Sequence, residues 1–453
     1  MAEVIKIKKG LDIRMNGEAR KAYTDIPRAK LFAVKPGDWH GLSPKTVPKP
    51  GDKVRVGSPL FYDKSNPGLK FCSPVSGKLL SINRAERRRI TEVVVEDDGK
   101  DSQEVFLQGD PDGLSREQIV ENLLNSGLWP LIRQRPYSVI ARPDQQAKSV
   151  FISAFSTQPL APDMEFVLKD RVEDFQWGVK ALRKLTEGKV YLNLDGRSSA
   201  ESVLAGIQGV ELHAFKGPHP AGNVGIQIHA LDPVNKGDVV WVVQPQDVVT
   251  IGRLFKTGRY DPSIVVALTG AQMREPAYVR TIRGSAVAAL LEGRLKEGNT
   301  RIISGSVLNG TQVDGESGYL GFLDGQLCAI REGNEYEMFG WLKPGFRKMS
   351  VSRSFVSTWL RPKQKYNMDT NCHGGERAFL MTGEYEKVLP MDIYPVQLLK
   401  SILVNDIDKM EQLGIYELDE EDLALCEFVC TSKTPVTRIL RDGLNALRKE
   451  MED

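Results

Sequence analysis

At 453 residues the chain is long for one core, and about three domains is the natural expectation. Its composition, 41% hydrophobic and 26% charged, is that of an ordinary globular protein. A net charge of +2 argues against a nucleic-acid binder, because phosphate recognition shows as a concentrated basic face.

The N-terminus, MAEVIKIKKGLDI, alternates like a strand and lacks the apolar core of a signal peptide. Through residue 100 the chain is rich in Gly, Pro and Lys. The short runs VRV, PLFY, LKF, KLLSI and TEVVVE, set between the turns KPGDKV, KSNPG and EDDGK, predict an all-β module with no room for a long helix. Within it, GSPLFYDKSNPGLKFCSPVSGKLLSI (57–82) looks like a protein that carries a lipoyl or biotin arm. Such an arm needs a lysine at a tight, exposed hairpin tip, flanked as Asp-Lys-Ala or Met-Lys-Met. Here Asp63-Lys64 runs into the proline loop Ser65-Asn66-Pro67-Gly68, so a carrier-like fold without an attached group is the reading. The densest basic patch, RAERRR (84–89), reads as a solvated hairpin face.

Ser115 and Gln118 form a capping box, with Leu114 and Ile119 as its hydrophobic staple, and predict a helix that ends at Gly127. SVFISAF and KVYLNL then read as buried strands, EDFQWGVKALRKLTEG as a helix ending at Gly188, SAESVLAGIQG as another helix, and VELHAF as a strand. This alternation predicts a small parallel α/β domain over roughly 135–255. IVVALTG, YVRTIRG, the helix SAVAALLEGRL and RIISGSVLNG make a β-β-α-β pattern that suits a β-grasp module. Residues 320–395 return to short strands and turns. YPVQLLKSILVND, DEEDLALCEFV (Asp419 as cap) and TPVTRILRDGLNALRKE (Thr434 cap, Pro435 at the first helical position) read as helices. The fold class expected is a multidomain α+β chain. Its units are a barrel-sandwich β module (1–110), a helix with a Rossmann-like α/β domain (111–258), a β-grasp module of the soluble-ligand-binding type (259–330), a β-rich segment (331–394) and a C-terminal helical domain (395–453).

No apolar run approaches the ~18 residues that span a bilayer, and VVWVV and SIVVAL have strand length. The expected location is therefore the cytoplasm, with a partner needed to hold the chain at a membrane. Five cysteines are too few, and odd in number, for a disulfide framework. Cys426 and Cys430 fit two packed thiols on one helix face better than a cluster site, which wants four thiolates in a tighter run. The run GPHPAG (217–222) is not a dinucleotide fingerprint, and Pro218 and Pro220 remove N–H donors that a phosphate needs. His213, His219 and His229 lack a cysteine or spaced acid to complete a metal site. No P-loop and no Ser/His/Asp or Cys/His arrangement rises above chance.

The order of these parts also occurs in the NADH- and FMN-binding component of respiratory complex I and in the corresponding component of the Rnf complexes. Specific stretches, among them VIKIKKGLDI, SGLWPLIRQRPYS, GPHPAGNVGIQIHALDPV, MFGWLKPG, ERAFLMTGEYEKVLPMDIYP and LDEEDLALCEFVC, resemble the A-component family of the Na+-translocating NADH:quinone oxidoreductases (Na+-NQR), in order from residue 4 to about residue 430. The resemblance implies a component peripheral to the cytoplasmic face of a bacterial inner membrane, with no flavin or iron–sulfur centre of its own. Quinone would be the substrate of the complex. FMN, FAD and Fe–S would sit on the partner components of the Na+-NQR complex, B to F, with docking chiefly through the membrane-embedded B component. Where the flavin-binding relatives keep a glycine-rich loop, this chain has Trp129, Pro130 and Arg133. Trp129, Arg133, Arg135 and Tyr137 are accordingly the candidate quinone or partner contacts, with flat apolar faces and fixed donors on a chain stiffened by Pro130 and Pro136. The competing expectation is that Trp129 plugs the vacated flavin pocket and the arginines bind nearby carboxylates.

Overall fold

The computed structural model describes residues 3–334 and 337–452. Met1 and Ala2 of the expected first unit, Glu335 and Tyr336 of the fourth and Asp453 of the last lie outside the described residues.

The small β module packs a four-stranded sheet (Leu31–Val34, Ile90–Asp97, Gly77–Arg84, Lys53–Val54) with a three-stranded one (Pro44–Thr46, Pro59–Asp63, Lys70–Cys72). Its filling is aromatic. Phe61 and Phe71 stack at 4.7 Å, and Trp39 meets Phe71 edge-on at 4.8 Å. Lys64 stands exposed in the loop joining two strands of the smaller sheet. There Asp63 Oδ1 accepts from Ser43 N at 3.1 Å and Asn66 Oδ1 accepts from Gly68 N at 3.2 Å. Lys78 lies near the start of the strand Gly77–Arg84, opposite Lys53. The arginine-rich patch is the exposed turn between Gly77–Arg84 and Ile90–Asp97.

The α/β unit is a seven-stranded sheet in the order Glu3–Lys6, Glu211–Lys216, Lys189–Asp195, Ser149–Ser153, Val240–Val243, Ile132–Arg135, Val139–Ile140. The first five strands run parallel, and the last two are antiparallel additions. The N-terminal strand does not stay with the module it precedes in sequence. It is the edge strand here, paired from Glu3↔His213 to Lys6↔Lys216. The capping box at Ser115 and Gln118 opens the helix Arg116–Asn125 as expected. Phe175, Val179, Leu182 and Leu185 give the helix Val172–Leu185 its buried stripe, and it packs on a helix the sequence did not suggest, Pro245–Thr257. The expected helix over SAESVLAGIQG is instead one 3-10 turn, Ser199–Glu201, followed by turns. The Glu165 carboxylate takes Ser202 Oγ at 2.5 Å and Val203 N at 2.9 Å, groups that a helix would use otherwise.

A six-stranded sheet follows, ordered Thr311–Val313, Thr300–Ser304, Gln326–Arg331, Ser263–Thr269, Ala277–Ile282, Arg20–Tyr23. The helix in its β-β-α-β run is short, Val287–Leu291. Arg283, fully buried, ties this unit to the α/β unit through Asp247 at 2.5 Å. The chain ends in the helices Pro395–Leu403, Ile407–Gln412, Glu420–Val429 and Val436–Glu452, the second of which was not foreseen.

Alternation along the central strands divides the core. Val150, Ile152 and Trp241 face the core shared with the β module, whereas Phe151, Val240 and Val242 face the C-terminal helices through Leu398, Leu423 and Leu440. Among the described residues no helix is long and apolar enough to cross a membrane.

Candidate functional site

A cleft of about 720 Å³ opens at the C-terminal ends of Ser149–Ser153 and Val240–Val243. From Ser149–Ser153 the sheet continues to Lys189–Asp195 on one side and returns through Val240–Val243 on the other. Such a reversal leaves a crevice above the strand ends in open α/β sheets. Four parts of the chain wall it: Asp38 and His40 from the β module, Ser153 and Gln244 from the α/β sheet, Ser306 and Asp324 from the six-stranded unit, and Asp419 to Glu421 from the C-terminal helices.

The segment 127–137 reaches this cleft through Arg133, and its four candidate residues go to three places. Trp129 is fully buried in a 3-10 turn. Its Nε1 donates to the Ala141 carbonyl at 2.7 Å, and its ring meets Trp241 edge-on at 5.7 Å. It offers no open face to a ligand. The chain then becomes the strand Ile132–Arg135, on which Arg133 and Arg135 share a face. Arg133 is half-buried and lines the cleft. Arg135 is 2% exposed and enters the C-terminal helices, where it reaches Asp422 at 2.6 Å, Glu421 at 2.8 Å and the Glu417 carbonyl at 3.1 Å. A Cβ at Gly225 would lie 2.3 Å from both Asp422 carboxylate oxygens, so that glycine leaves the space the ion pair fills. Tyr137 packs edge-on against Tyr416 at 6.5 Å, and its carbonyl accepts from Arg441 Nη1 at 2.8 Å.

The cleft is strongly acidic. Asp38, Asp324, Asp419, Glu420, Glu421 and Glu427 line it, against Arg133 and His40. Burial pushes the Asp38 carboxyl up to about 6, despite Lys35 and the N–H of Phe322 that donates to it at 2.8 Å. Burial also raises Asp324, which Ser304 Oγ contacts at 2.6 Å. In the DEED run at the start of Glu420–Val429, four carboxylates share Arg135 and Arg441. Burial opposes ionisation throughout the run. At Asp419 the two guanidiniums outweigh it and hold that carboxyl low, while at Glu421 and Asp422 burial prevails and the carboxyls rise. A flavin phosphate or a dinucleotide pyrophosphate at these strand ends would meet carboxylates where it needs donors. The neighbouring GPHPAG loop spends its N–H groups internally: His219 N on Asp12 at 3.0 Å, Ala221 N on Pro218 O at 2.9 Å and Gly222 N on Thr157 Oγ1 at 2.9 Å. The residues present do not fit a flavin or NADH there. They fit a neutral ligand with carbonyl oxygens, to which Arg133 can donate.

The other candidates lie apart from the cleft. Cys426 and Cys430 are buried, and Cys430 Sγ accepts from the Tyr385 hydroxyl at 2.9 Å and Thr434 N at 3.3 Å. His213 stands beside Tyr191, His219 against Thr157 and His229 on Glu417 at 2.7 Å. Among the described residues no group of three His, Cys, Asp or Glu is placed to hold a metal.

Three family profiles match the chain in order. They are the NqrA N-terminal barrel-sandwich hybrid domain over residues 5–98, the NqrA second alpha/beta domain over residues 114–260 and the NQRA C-terminal domain, of SLBB type, over residues 265–315. The A component of the Na(+)-translocating NADH-quinone reductase of Yersinia pseudotuberculosis is 42% identical over 99% of this chain and 100% of its own length. Those of Hahella chejuensis and Neisseria meningitidis are 41% and 40% identical over the same shares. The chain belongs to the NqrA family. The resemblance drawn from short stretches is thus that of the whole chain.

Within this NqrA chain the sequence pointed to Arg133 but missed the wall opposite. Asp38, His40 and Asp324 are single polar residues in unremarkable turns, and no local pattern marks them. The DEED run was legible only as a helix cap. Its signal was four consecutive carboxylates in a chain that also holds a paired Arg-x-Arg.

Proposed function

We propose that this chain is the peripheral A component of a Na+-translocating NADH:quinone oxidoreductase, bound at the cytoplasmic face of a bacterial inner membrane and acting at the quinone end of the reaction. Its partners are the other five components, B to F, chiefly the membrane-embedded B component. Flavins and the iron–sulfur centre reside on those partners. In this reading the α/β unit is a Rossmann-like domain and the six-stranded unit a β-grasp domain.

Family membership supports the assignment to the complex, and the carboxylate-lined cleft is the observation that carries the role of this chain within it. A Rossmann-like crevice with that lining is unsuited to nucleotides, whereas Arg133 is a fixed donor suited to a quinone carbonyl. Trp129, Arg135 and Tyr137 serve the same edge from behind. Trp129 fills the space under the segment, and Arg135 and Tyr137 lock it to the C-terminal helices.

Affinity purification from native membranes tests the assignment: components B to F are expected with the chain. The isolated, folded chain should be colourless, and FMN or iron near one equivalent would overturn the cofactor-free reading. In the whole complex, Arg133→Ala should raise the apparent KM for quinone several-fold while assembly persists. A rate and affinity within about twofold of the parent, under ~0.5 kcal/mol, would leave the segment a structural role only.

A further inference from the structure

Residues 338–368 hold seven lysines and arginines and no acidic residue, in a chain whose whole net charge is +2. The same stretch holds large apolar side chains out in solvent. Met338, Phe339, Leu342, Phe346, Trp359 and Leu360 are all more than half exposed, up to 81% at Met338. Exposed apolar groups this dense mark an interaction surface.

The stretch has an internal skeleton that presents these groups. Val356 N donates to the Pro344 carbonyl at 3.0 Å, Ser357 Oγ to the Lys348 carbonyl at 2.7 Å and Gln364 Nε2 to the Phe346 carbonyl at 3.3 Å. Its far end is tied down where Tyr366 exchanges backbone hydrogen bonds with Arg14 and Asn16. Lys343 and Lys348 pair with Glu337, and Lys365 with Glu18. Arg347, Arg353, Arg361 and Lys363 are exposed and have no acidic partner among the described residues.

Aromatic and leucine tips interleaved with unpaired cations are the composition that settles into a headgroup layer. The apolar tips enter the acyl boundary, and the cations meet anionic phosphates. An excess of one charge sign around scattered apolar tips also suits a uniformly anionic, fluid surface better than a shaped protein pocket. We propose that this basic, aromatic excursion rests directly on an anionic phospholipid bilayer and orients the cleft with respect to it. The proposal rests on the reading of the chain as part of a membrane complex.

The test uses the full chain alone, sedimented with vesicles of phosphatidylcholine containing roughly a third phosphatidylglycerol and with vesicles of phosphatidylcholine only. The parent should partition onto the anionic vesicles, weakly or not at all onto the neutral ones, and less as salt rises. Combining Arg347→Gln, Arg353→Gln, Arg361→Gln and Lys363→Gln should lower the partition about tenfold or more. Combining Phe339→Ser and Trp359→Ser should lower it with the charges intact. A parent that ignores anionic vesicles overturns the proposal, as does a four-fold glutamine variant that binds them like the parent. Loss of co-purification with the membrane components at unchanged vesicle binding would assign the surface to a protein partner and also overturn it. Because the vesicle assay contains no partner protein, its failure leaves the co-purification test of the assigned function independent.

Discussion

Gly178 and Gly252 face each other where the helices Val172–Leu185 and Pro245–Thr257 cross, so near that a Cβ on Gly252 would lie 2.6 Å from the Gly178 nitrogen and 1.8 Å from the Asp174 carbonyl oxygen. A Cβ on Gly178 would in turn lie 2.0 Å from the Val248 carbonyl oxygen. The close crossing brings Arg253 Nε within 2.6 Å and Lys256 Nζ within 3.1 Å of the Asp174 carboxylate. In an open helix Gly→Ala is stabilising by roughly 0.5–1 kcal/mol. Here the sign reverses. Gly252→Ala should cost about 1–3 kcal/mol through overpacking against rigid backbone. Urea unfolding of the single variant measures it, and a neutral or stabilised protein would show that the two helices part without loss.

Removing the Arg135 guanidinium leaves the buried Asp422 and the partly buried Glu421 without their cation. Arg135→Ala should destabilise by about 3–5 kcal/mol, the cost of an uncompensated buried charge. Arg135→Lys should recover part of this, because it restores the charge but not the fork that reaches Asp422, Glu421 and the Glu417 carbonyl together. Thermal unfolding with limited proteolysis of the C-terminal helices reads both. An alanine variant within about 1 kcal/mol of the parent would mean that the carboxylates simply take up protons.

The two helical cysteines should respond differently to serine. Cys430 already accepts hydrogen bonds from Tyr385 and Thr434, so Cys430→Ser keeps its partners and should cost under about 1 kcal/mol. Cys426 is fully buried with one long contact, 4.0 Å to the Tyr385 carbonyl, and Cys426→Ser should cost ~1–3 kcal/mol. Turnover of the assembled complex should survive both. A folded double variant without electron transfer would give the pair a chemical role.

His219 gives a pH dependence with a definite sign. It is 1% exposed, and burial pushes its pKa down to about 4, with Asp12 pulling the other way. Unfolded, it titrates near 6.5, so the unfolded chain takes its proton first. The stability tied to the neutral ring is complete above about pH 6.5, is lost progressively as pH falls toward 4, and changes no further below that. The gap of about 2.5 units amounts to on the order of 3 kcal/mol. His219→Gln should flatten the fall between pH 7 and 4.5 relative to the parent. Equal slopes in urea midpoint would show that other groups carry it.

The parts that were legible in the sequence are those encoded by neighbours. Ser115 and Gln118 announce their helix within four residues, Asp419 does the same for Glu420–Val429, and the β module repeats strand and turn signals at short range. Hydrophobic pattern could not place Trp129. The same Trp-Pro-Leu run serves an exposed docking edge or a buried plug, and only the arrival of Trp241 and the Ala141 carbonyl decides for burial. SAESVLAGIQG has an acceptable helical stripe, and a carboxylate from Glu165 overrides it. The cleft is the extreme case, since Asp38, Arg133, Asp324 and Glu420 meet only after four separate units have folded.

The first two dozen residues are distributed among distant parts of the molecule. Glu3–Lys6 closes on Glu211–Lys216, Met15 bridges to Tyr366, and Arg20–Tyr23 closes on Ala277–Ile282. A ribosome therefore releases the N-terminal strands long before their partners exist: the seven-stranded sheet has its last strand only at residue 243, and the six-stranded sheet only at residue 331. The β module encoded between them has all its own strands by residue 97, ahead of either large sheet, with the two N-terminal strands still unpaired in front of it. Removing the first two dozen residues would strip an edge from two sheets while leaving every strand of the β module in place.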